Sequence, residues 1–459
     1  MMTHTSSLVT LALALGLAGT ARAQQPTTPA APAPQPTASL PQPAPATRRV
    51  TLGEALQLGR QYNPTMVQAQ QSLRVANMGV TQAWGAYLPT VSASVGSSKS
   101  SSQRYNSATG QVVSAPGDQS SFGFNANLNL FTGFQRGANQ RAANATQELN
   151  QAAVLQQDYA TDLATKQAFF NALSTQELVG VAQANLARSD QQLRLTSEKL
   201  RLGATTRADS LQASVDYGNA EVQLIQARAN AQTAQANLAR AIGAEGMVAA
   251  VPDTALEIRL ASLDTAALRR DGEATAPSVV QAQASVTAAQ ASLTANRAQY
   301  FPTLSLGASQ RWAGQILFPW SPIAAGPKYT GTWNLSLSLN YPIFNGFTRE
   351  ANIVNADANA VTARAKLRDA RLALDANLTQ TLTALDAAGA QIDVARTTVA
   401  AAQENLRMQR ERYRLGASTI VDLLTAETTL NQAETGLVQS RYNYLIARAQ
   451  LEALVGHTL

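Results

Sequence analysis

Cysteine is absent from the 459 residues, and histidine occurs only at His4 and His457. Without thiols there are no disulfides, no iron–sulfur clusters and none of the usual structural zinc sites. Without a histidine in the body of the chain there is no Ser-His-Asp or Cys-His set. No P-loop or dinucleotide fingerprint is present either. The composition therefore argues against an enzyme, and no cofactor or metal is expected. Charge is sparse as well, at 14% of residues, with aromatics at 5%. The arginines are spread along the chain with no run longer than the pairs 48–49 and 269–270, so a net charge of +6 reads as a solvated surface and not as a nucleic-acid footprint.

Long apolar runs are also missing. The run at 8–18 (LVTLALALGLA) is too short to span a bilayer as a helix. It precedes Ala21-Arg22-Ala23, a small-x-small cleavage pattern, so residues 1–23 read as an export signal, although Lys and Arg are absent before Leu8. Residues 24–47 are mostly Pro, Ala, Gln and Thr, which cannot bury a core and read as an extended tether.

What the chain does contain, it contains twice. Pro64 matches Pro277, an offset of 213 residues, and the same offset joins Tyr87-Leu88-Pro89 to Tyr300-Phe301-Pro302. It also joins Phe131-x-Gly-Phe134 to Phe344-x-Gly-Phe347, Arg201-Leu-Gly-Ala204 to Arg414-Leu-Gly-Ala417, Asp209 to Asp422 and Gly243 to Gly456. One constant spacing over so many landmarks means a duplicated unit, far longer than a solenoid repeat. The expected units are 48–246 and 264–459, joined by a connection at 247–263.

Each unit contains two stretches of alternation. Phe122, Phe124, Ala126, Leu128 and Leu130 share one face, against Gly123, Asn125, Asn127 and Asn129 on the other. In the second unit Trp333, Leu335, Leu337 and Leu339 oppose Asn334, Ser336, Ser338 and Asn340. Period two predicts strands at about 88–99, 119–131, 301–313 and 330–344. Their length suits a membrane strand, and aromatics flank them as interface girdles do. A soluble sandwich is the competing account, but four strands are few for one. Four cannot close a barrel either, and open edges are not tolerated in lipid. Sibling chains must then complete the ring; two, three or four copies would give eight, twelve or sixteen strands.

The remainder reads as helix. Residues 135–198 and 348–412 lack proline, and each run would be about 95 Å long. Shorter helices follow at about 206–242 and 419–455. Leu423, Leu430, Leu437, Tyr444 and Leu451 recur every seventh residue, with small residues three places on, which calls for a coiled-coil partner. By length, 206–242 continued by 265–299 matches the first long helix, and 419–455 continued by 53–86 matches the second.

With these features together the chain resembles the TolC family of trimeric outer-membrane efflux and secretion channels, over about residues 50–456. The carrying motifs are the duplication, Tyr-x-Pro, Phe-x-Gly-Phe and the Leu-Gly-Ala…Asp tips. The resemblance implies a mainly helical fold with a membrane part: a homotrimer, a twelve-stranded barrel with four strands per chain, and a helical tunnel in the periplasm. It implies contact with outer-membrane lipid, docking to a periplasmic adaptor and, through it, to an inner-membrane pump. The tips that would meet the adaptor are Arg201, Leu202, Gly203 and Ala204, and Arg414, Leu415, Gly416 and Ala417. Asp422 matches a family position that narrows the tunnel mouth, with Asp209 its counterpart in the first unit. Thr425 stands where some members carry a further Asp. Tyr413 is expected to hydrogen-bond to Asp209 and hold the mouth shut. Asn125, Asn127, Asn129, Ser336, Ser338 and Asn340 would line a wet, weakly charged lumen. The expected function is passive exit in an efflux pump or type I secretion system; the alternative is a non-conducting trimeric surface stalk.

Overall fold

The structure is a computed structural model that describes residues 48–457 except 109, 253–267, 269, 271–273 and 315–328. The expected signal, the tether, most of the inter-unit connection and one strand-linking loop lie outside the described residues.

A short strand β1 (Arg48–Val50) opens the described chain, followed by helices α1 (Leu52–Tyr62) and α2 (Pro64–Gly85). Strands β2 (Thr90–Asn106) and β3 (Gln111–Thr132) lead into the long helix α3 (Gln135–Arg201) and its return, α4 (Arg207–Ala241). After β4 (Val248–Ala250) the pattern recurs as α5 (Pro277–Arg297), β5 (Thr303–Gly314), β6 (Tyr329–Asn340), α6 (Thr348–Arg414) and α7 (Ile420–Val455).

The expected single helix at 53–86 is broken at Asn63. A residue before proline is driven out of the helical region, and Asn63 sits at φ −63°, ψ 126°. Its side chain then caps the next helix by accepting from the Thr65 amide at 3.0 Å. Of the helix expected over 265–299, α5 starts at Pro277, again with proline in its first turn, and the described residues Leu268, Arg270, Ala274 and Thr275 ahead of it are helical too.

Four strands form one antiparallel sheet in the order β2-β3-β5-β6. The ladder of β2 and β3 continues to Asn106↔Gln111, well past the expected membrane length. The Ser-rich stretch beyond the expected strand ends is held there by backbone pairing, which needs no apolar side chains. Conversely β6 stops at Asn340, because Pro342 has no amide to give a ladder. A register shift between Asn129 and Phe131 marks a bulge, so Phe131 and not Leu130 stands opposite Leu304. Gln310 occupies the apolar row, paired with Phe124 and Trp333. A second, two-stranded parallel sheet joins β1 to β4, a pairing the sequence did not announce.

Below the sheet the helices form four side-by-side lines. α3 packs against α2 and α4 on one flank and against α5 and α7 on the other, and α6 packs against α5 and α7. The end-to-end continuations differ from the length-based expectation. The end of α4 meets the start of α2, not α5: Asn63 Nδ2 donates to the Ala241 carbonyl at 2.9 Å. A Cβ at Gly243 would lie 2.6 Å from the Tyr62 carbonyl oxygen, and its φ of +67° also requires glycine. In the second unit Gly456 ends α7 against α5, where a Cβ would lie 2.8 Å from the Thr275 carbonyl, and Thr275 Oγ1 donates to the Val455 carbonyl at 2.8 Å. Each repeat thus closes on itself: up one helix, through a hairpin, down a 67-residue helix and back to its own start. Length arithmetic cannot distinguish the two continuations, because α2 and α5 are nearly equal, at 22 and 21 residues.

These junctions carry the core. Val50, Phe169, Leu238, Ile242 and Val248 bury together in the first repeat, and Leu378, Ile392, Leu451 and Val455 in the second. Full burial of such side chains is worth roughly 1.5–3 kcal/mol each. A third cluster, with Leu406, Leu423, Ala426 and Leu430, zips α6 to α7 near the tip, where the heptad residues face.

Candidate functional site

Both helical tips are built alike. Lysine and arginine close the last turn of α3 and α6, favourable against the helix dipole. Gly203 and Gly416 then adopt φ +73°. The Ala204 amide reaches back to the Lys199 carbonyl and the Ala417 amide to the Arg412 carbonyl, both at 2.8 Å, completing two Schellman turns. These turns project Leu202 and Leu415, which are 70% and 72% exposed. Arg201 pairs with Glu198 and Arg414 with Glu411, each three residues back.

Asp209 and Asp422 sit at the third position of α4 and α7, in reciprocal capping boxes with Thr206 and Thr419. Asp209 Oδ2 accepts from Thr205 Oγ1 and the Thr206 amide, at 2.7 and 3.1 Å. Asp422 Oδ2 accepts from the Thr419 amide and hydroxyl, at 3.0 and 2.7 Å. These donors hold both carboxyls below the usual aspartate range. Each tip therefore carries a carboxylate that is charged at neutral pH and already committed to a helix start. Thr425 is exposed and turns its hydroxyl back to the Val421 carbonyl at 2.8 Å.

The expected Tyr413–Asp209 hydrogen bond is not made within a single chain. Tyr413 is buried and its hydroxyl has no partner among the described residues. Its ring and carbonyl are instead taken by Lys199, whose Nζ lies 4.1 Å from the ring centroid and donates to Tyr413 O at 3.1 Å. Asp209 is occupied by its own cap, so it has no reason to reach across. The tie between the first and second tips is cationic, through Lys199.

Behind the tips lies a polar layer that pattern reading missed. Glu427 is 3% exposed, accepts from Arg410 Nη2 at 3.1 Å and leaves its other oxygen without a partner among the described residues. Burial pushes its carboxyl up, opposed by Arg410. Beside it Ser189 donates to Asp216 at 3.1 Å, and Arg188 pairs with Glu434 at 3.1 Å. Glu427 follows the small heptad residue Ala426 directly, so a charged residue hugging the seam was the available signal.

On the sheet the register assembles polar rows. Ser92, Asn125, Ser309 and Asn334 align, as do Thr90, Asn127, Gly307 and Ser336, and then Asn129, Ser305 and Ser338. Asn340 ends the face opposite Thr303. All six sequence-chosen lumen residues share this face. Arg311 joins them between Gly123 and Thr332, a charge the alternation did not bring out. The opposite face carries Val91, Phe124, Trp333, Leu335, Leu337 and Leu339, all exposed in the single chain.

The two Phe-x-Gly-Phe motifs turn strand into helix. Phe134 and Phe347 take φ +67° and +62°, rare for a bulky residue. Phe134 is clamped edge-on by Phe131 and Phe301, at 5.3 and 5.5 Å. In each repeat an arginine two residues on covers the Tyr-x-Pro tyrosine: Arg136 over Tyr87 at 4.9 Å and Arg349 over Tyr300 at 4.1 Å.

A family model described as "Outer membrane efflux protein" matches residues 55–244 and 268–457, one match per repeat. The chain belongs to the outer membrane efflux protein family. Among relatives, outer membrane protein TolC of Escherichia coli K12 is 28% identical over 307 residues, covering 64% of this chain and 61% of TolC. The match thus spans less than two thirds of TolC. Outer membrane efflux protein BepC of Brucella suis is 25% identical over 409 residues, covering 86% of this chain and 83% of BepC. Among solved structures, CusC superposes with a TM-score of 0.74 at 18% identity, over 95% of this chain and 99% of CusC. The MtrE channel of Neisseria gonorrhoeae superposes with a TM-score of 0.69 at 20% identity, covering 88% of this chain and 89% of MtrE. The family's mostly helical fold is therefore shared nearly end to end. No helix among the described residues is long and apolar enough to cross a membrane, and no group of metal-ligating side chains occurs among them.

Proposed function

We propose that the protein is the outer-membrane exit duct of an efflux or secretion system, working as a homotrimer. One observation carries this reading: a four-stranded sheet with an apolar outer face, a polar inner face and both edge strands, β2 and β6, unpaired. Such a sheet is untenable alone in lipid, whereas three copies joined edge to edge give a closed barrel of twelve strands. The helical lines below repeat the argument. α4 and α2 at one edge and α6 at the other expose apolar side chains, among them Leu211, Val222, Met78, Val361 and Leu372. A neighbouring copy would cover both.

In this assembly Asn125, Asn127, Asn129, Ser336, Ser338 and Asn340 line the lumen, with Arg311 adding positive charge. The helical column of repeats 48–246 and 264–459 reaches about 100 Å into the periplasm. The exposed tips, Arg201–Ala204 and Arg414–Ala417, dock a periplasmic adaptor that couples the duct to an inner-membrane pump. Asp422 carboxylates meeting on the threefold axis, with Thr425 near, narrow the mouth and favour cations; Asp209 plays the lesser part on the first tip. Relatives named for alkaline protease secretion (AprF) and pyoverdine export (OpmQ) support both cargo classes for the family. Planar-bilayer recording of the purified protein tests the proposal. Stepwise conductance from a trimeric preparation is expected; a trimer that never conducts would make it a stalk.

A further inference from the structure

A groove of about 750 Å³ lies where β4 and Arg49 of β1 cross α3 and α4. Its walls carry Arg49, Arg228, Gln176, Gln183, Gln232 and Gln235, and no carboxylate lines it among the described residues. None of these six side chains makes a hydrogen bond or ion pair among the described residues. Gly180 lines the groove between the glutamines, with nothing within 4 Å of the position of a Cβ.

The second repeat shows that this is a departure and not a property of the framework. At the offset of 213, Gln183, Arg228 and Gln235 become Arg396, Arg441 and Arg448. Each of these is neutralised, by Asp393, Glu177 and Glu452 respectively. Ala231 and Gln232 become Tyr444 and Leu445, which pack into the hydrophobic core. On the helical wall, the second copy pairs its arginines with acids and packs Tyr444 and Leu445 into the core, whereas the first is open, cationic and amide-rich.

We propose that this groove binds a carboxylate-bearing glycan, the chemistry of a peptidoglycan strand. Guanidinium forks suit carboxylates, and free amides suit sugar hydroxyls and acetamido groups. The volume lies in the range of small-ligand sites, while the lining is too polar for an acyl chain. Along α3 the groove begins 41 residues from Gln135, about 60 Å from the sheet end. The ligand class rests on the periplasmic placement proposed above.

The test uses the full-length protein in detergent, with a fluorescent disaccharide-tetrapeptide muropeptide as the probe and neutral chitotetraose and inorganic phosphate as controls. Saturable muropeptide binding at least tenfold tighter than either control is expected. Arg49→Gln with Arg228→Gln should weaken it tenfold or more, and Gly180→Trp should abolish it by filling the floor. Conductance of the same samples should be unchanged. Muropeptide binding no tighter than chitotetraose, or equal in the arginine variant, overturns the inference. So does protection of Gln232–Gln235 from exchange by a second copy of the chain. A preparation that binds but never conducts would refute the duct and leave this site standing.

Discussion

The two long helices α3 and α6 are equal in length, end in the same glycine turn and follow the same aromatic strand-to-helix corner. Their surroundings differ. α3 is flanked on both sides within one chain and buries Phe169, Phe170 and Leu173, whereas α6 is flanked on one side only. Val361 and Leu372 of α6 are 56% and 63% exposed. Duplication thus delivered two copies of one helix, and the fold used one as an interior beam and the other as an edge. An edge with an apolar stripe is an unfinished interface.

The sharpest way to break this comparison is to charge the edge. Val361→Asp with Leu372→Asp should abolish the trimer in native mass spectrometry and all conductance. Were α6 a true solvent face, the pair would change stability by no more than about 0.5 kcal/mol per site and leave assembly intact. Charging the edge tests the outside of the layer; truncating the core tests its inside. Phe169→Ala should cost about 3–5 kcal/mol and its repeat counterpart Leu382→Ala about 2–5, read as a drop in thermal midpoint in detergent. A larger loss at Leu382 would put the centre of the fold in the second repeat.

The tips allow a third comparison. Asp422→Ala should weaken divalent-cation block of single-channel current several-fold, and Asp209→Ala less. Within one chain threonine donors depress the Asp422 carboxyl, whereas like carboxylates meeting on the axis raise it, so block by the wild type should fade as pH falls through the carboxylate range, about 4. The same sign holds for stability. The charged cap contributes fully above the unfolded aspartate value, and its contribution is lost as pH falls through the lowered folded value. Equal effects at the two aspartates would erase the distinction between tips. The smallest effect is expected at the tie between them. Lys199→Ala should raise closed-state conductance modestly, whereas Tyr413→Phe should not, since that hydroxyl bonds nothing among the described residues.

Much of this was legible in the residues. Alternation placed all four strands of the sheet and put Asn125, Asn127 and Asn129 on one face. The Leu-Gly-Ala…Asp spacing marked both tips. Other features were not legible. The bulge at Leu130 rests on ladder geometry, since one extra residue moves a side chain to the other face without changing composition. The stacking of α4 on α2 depends on contact at Gly243, which a length sum cannot see. Tyr413 looked poised for Asp209, yet a nearer threonine had already claimed that carboxylate.

The chain by itself determined the elements: local propensity, period and turn chemistry are written in neighbouring residues, and the constant offset guaranteed that whatever formed once formed twice. Only the tertiary structure decided which copy lies inside and which at the rim, which helices meet end to end, and which arginines find acids. Those outcomes depend on residues hundreds of positions apart competing for the same partners, and such competition is resolved only when the chain is packed.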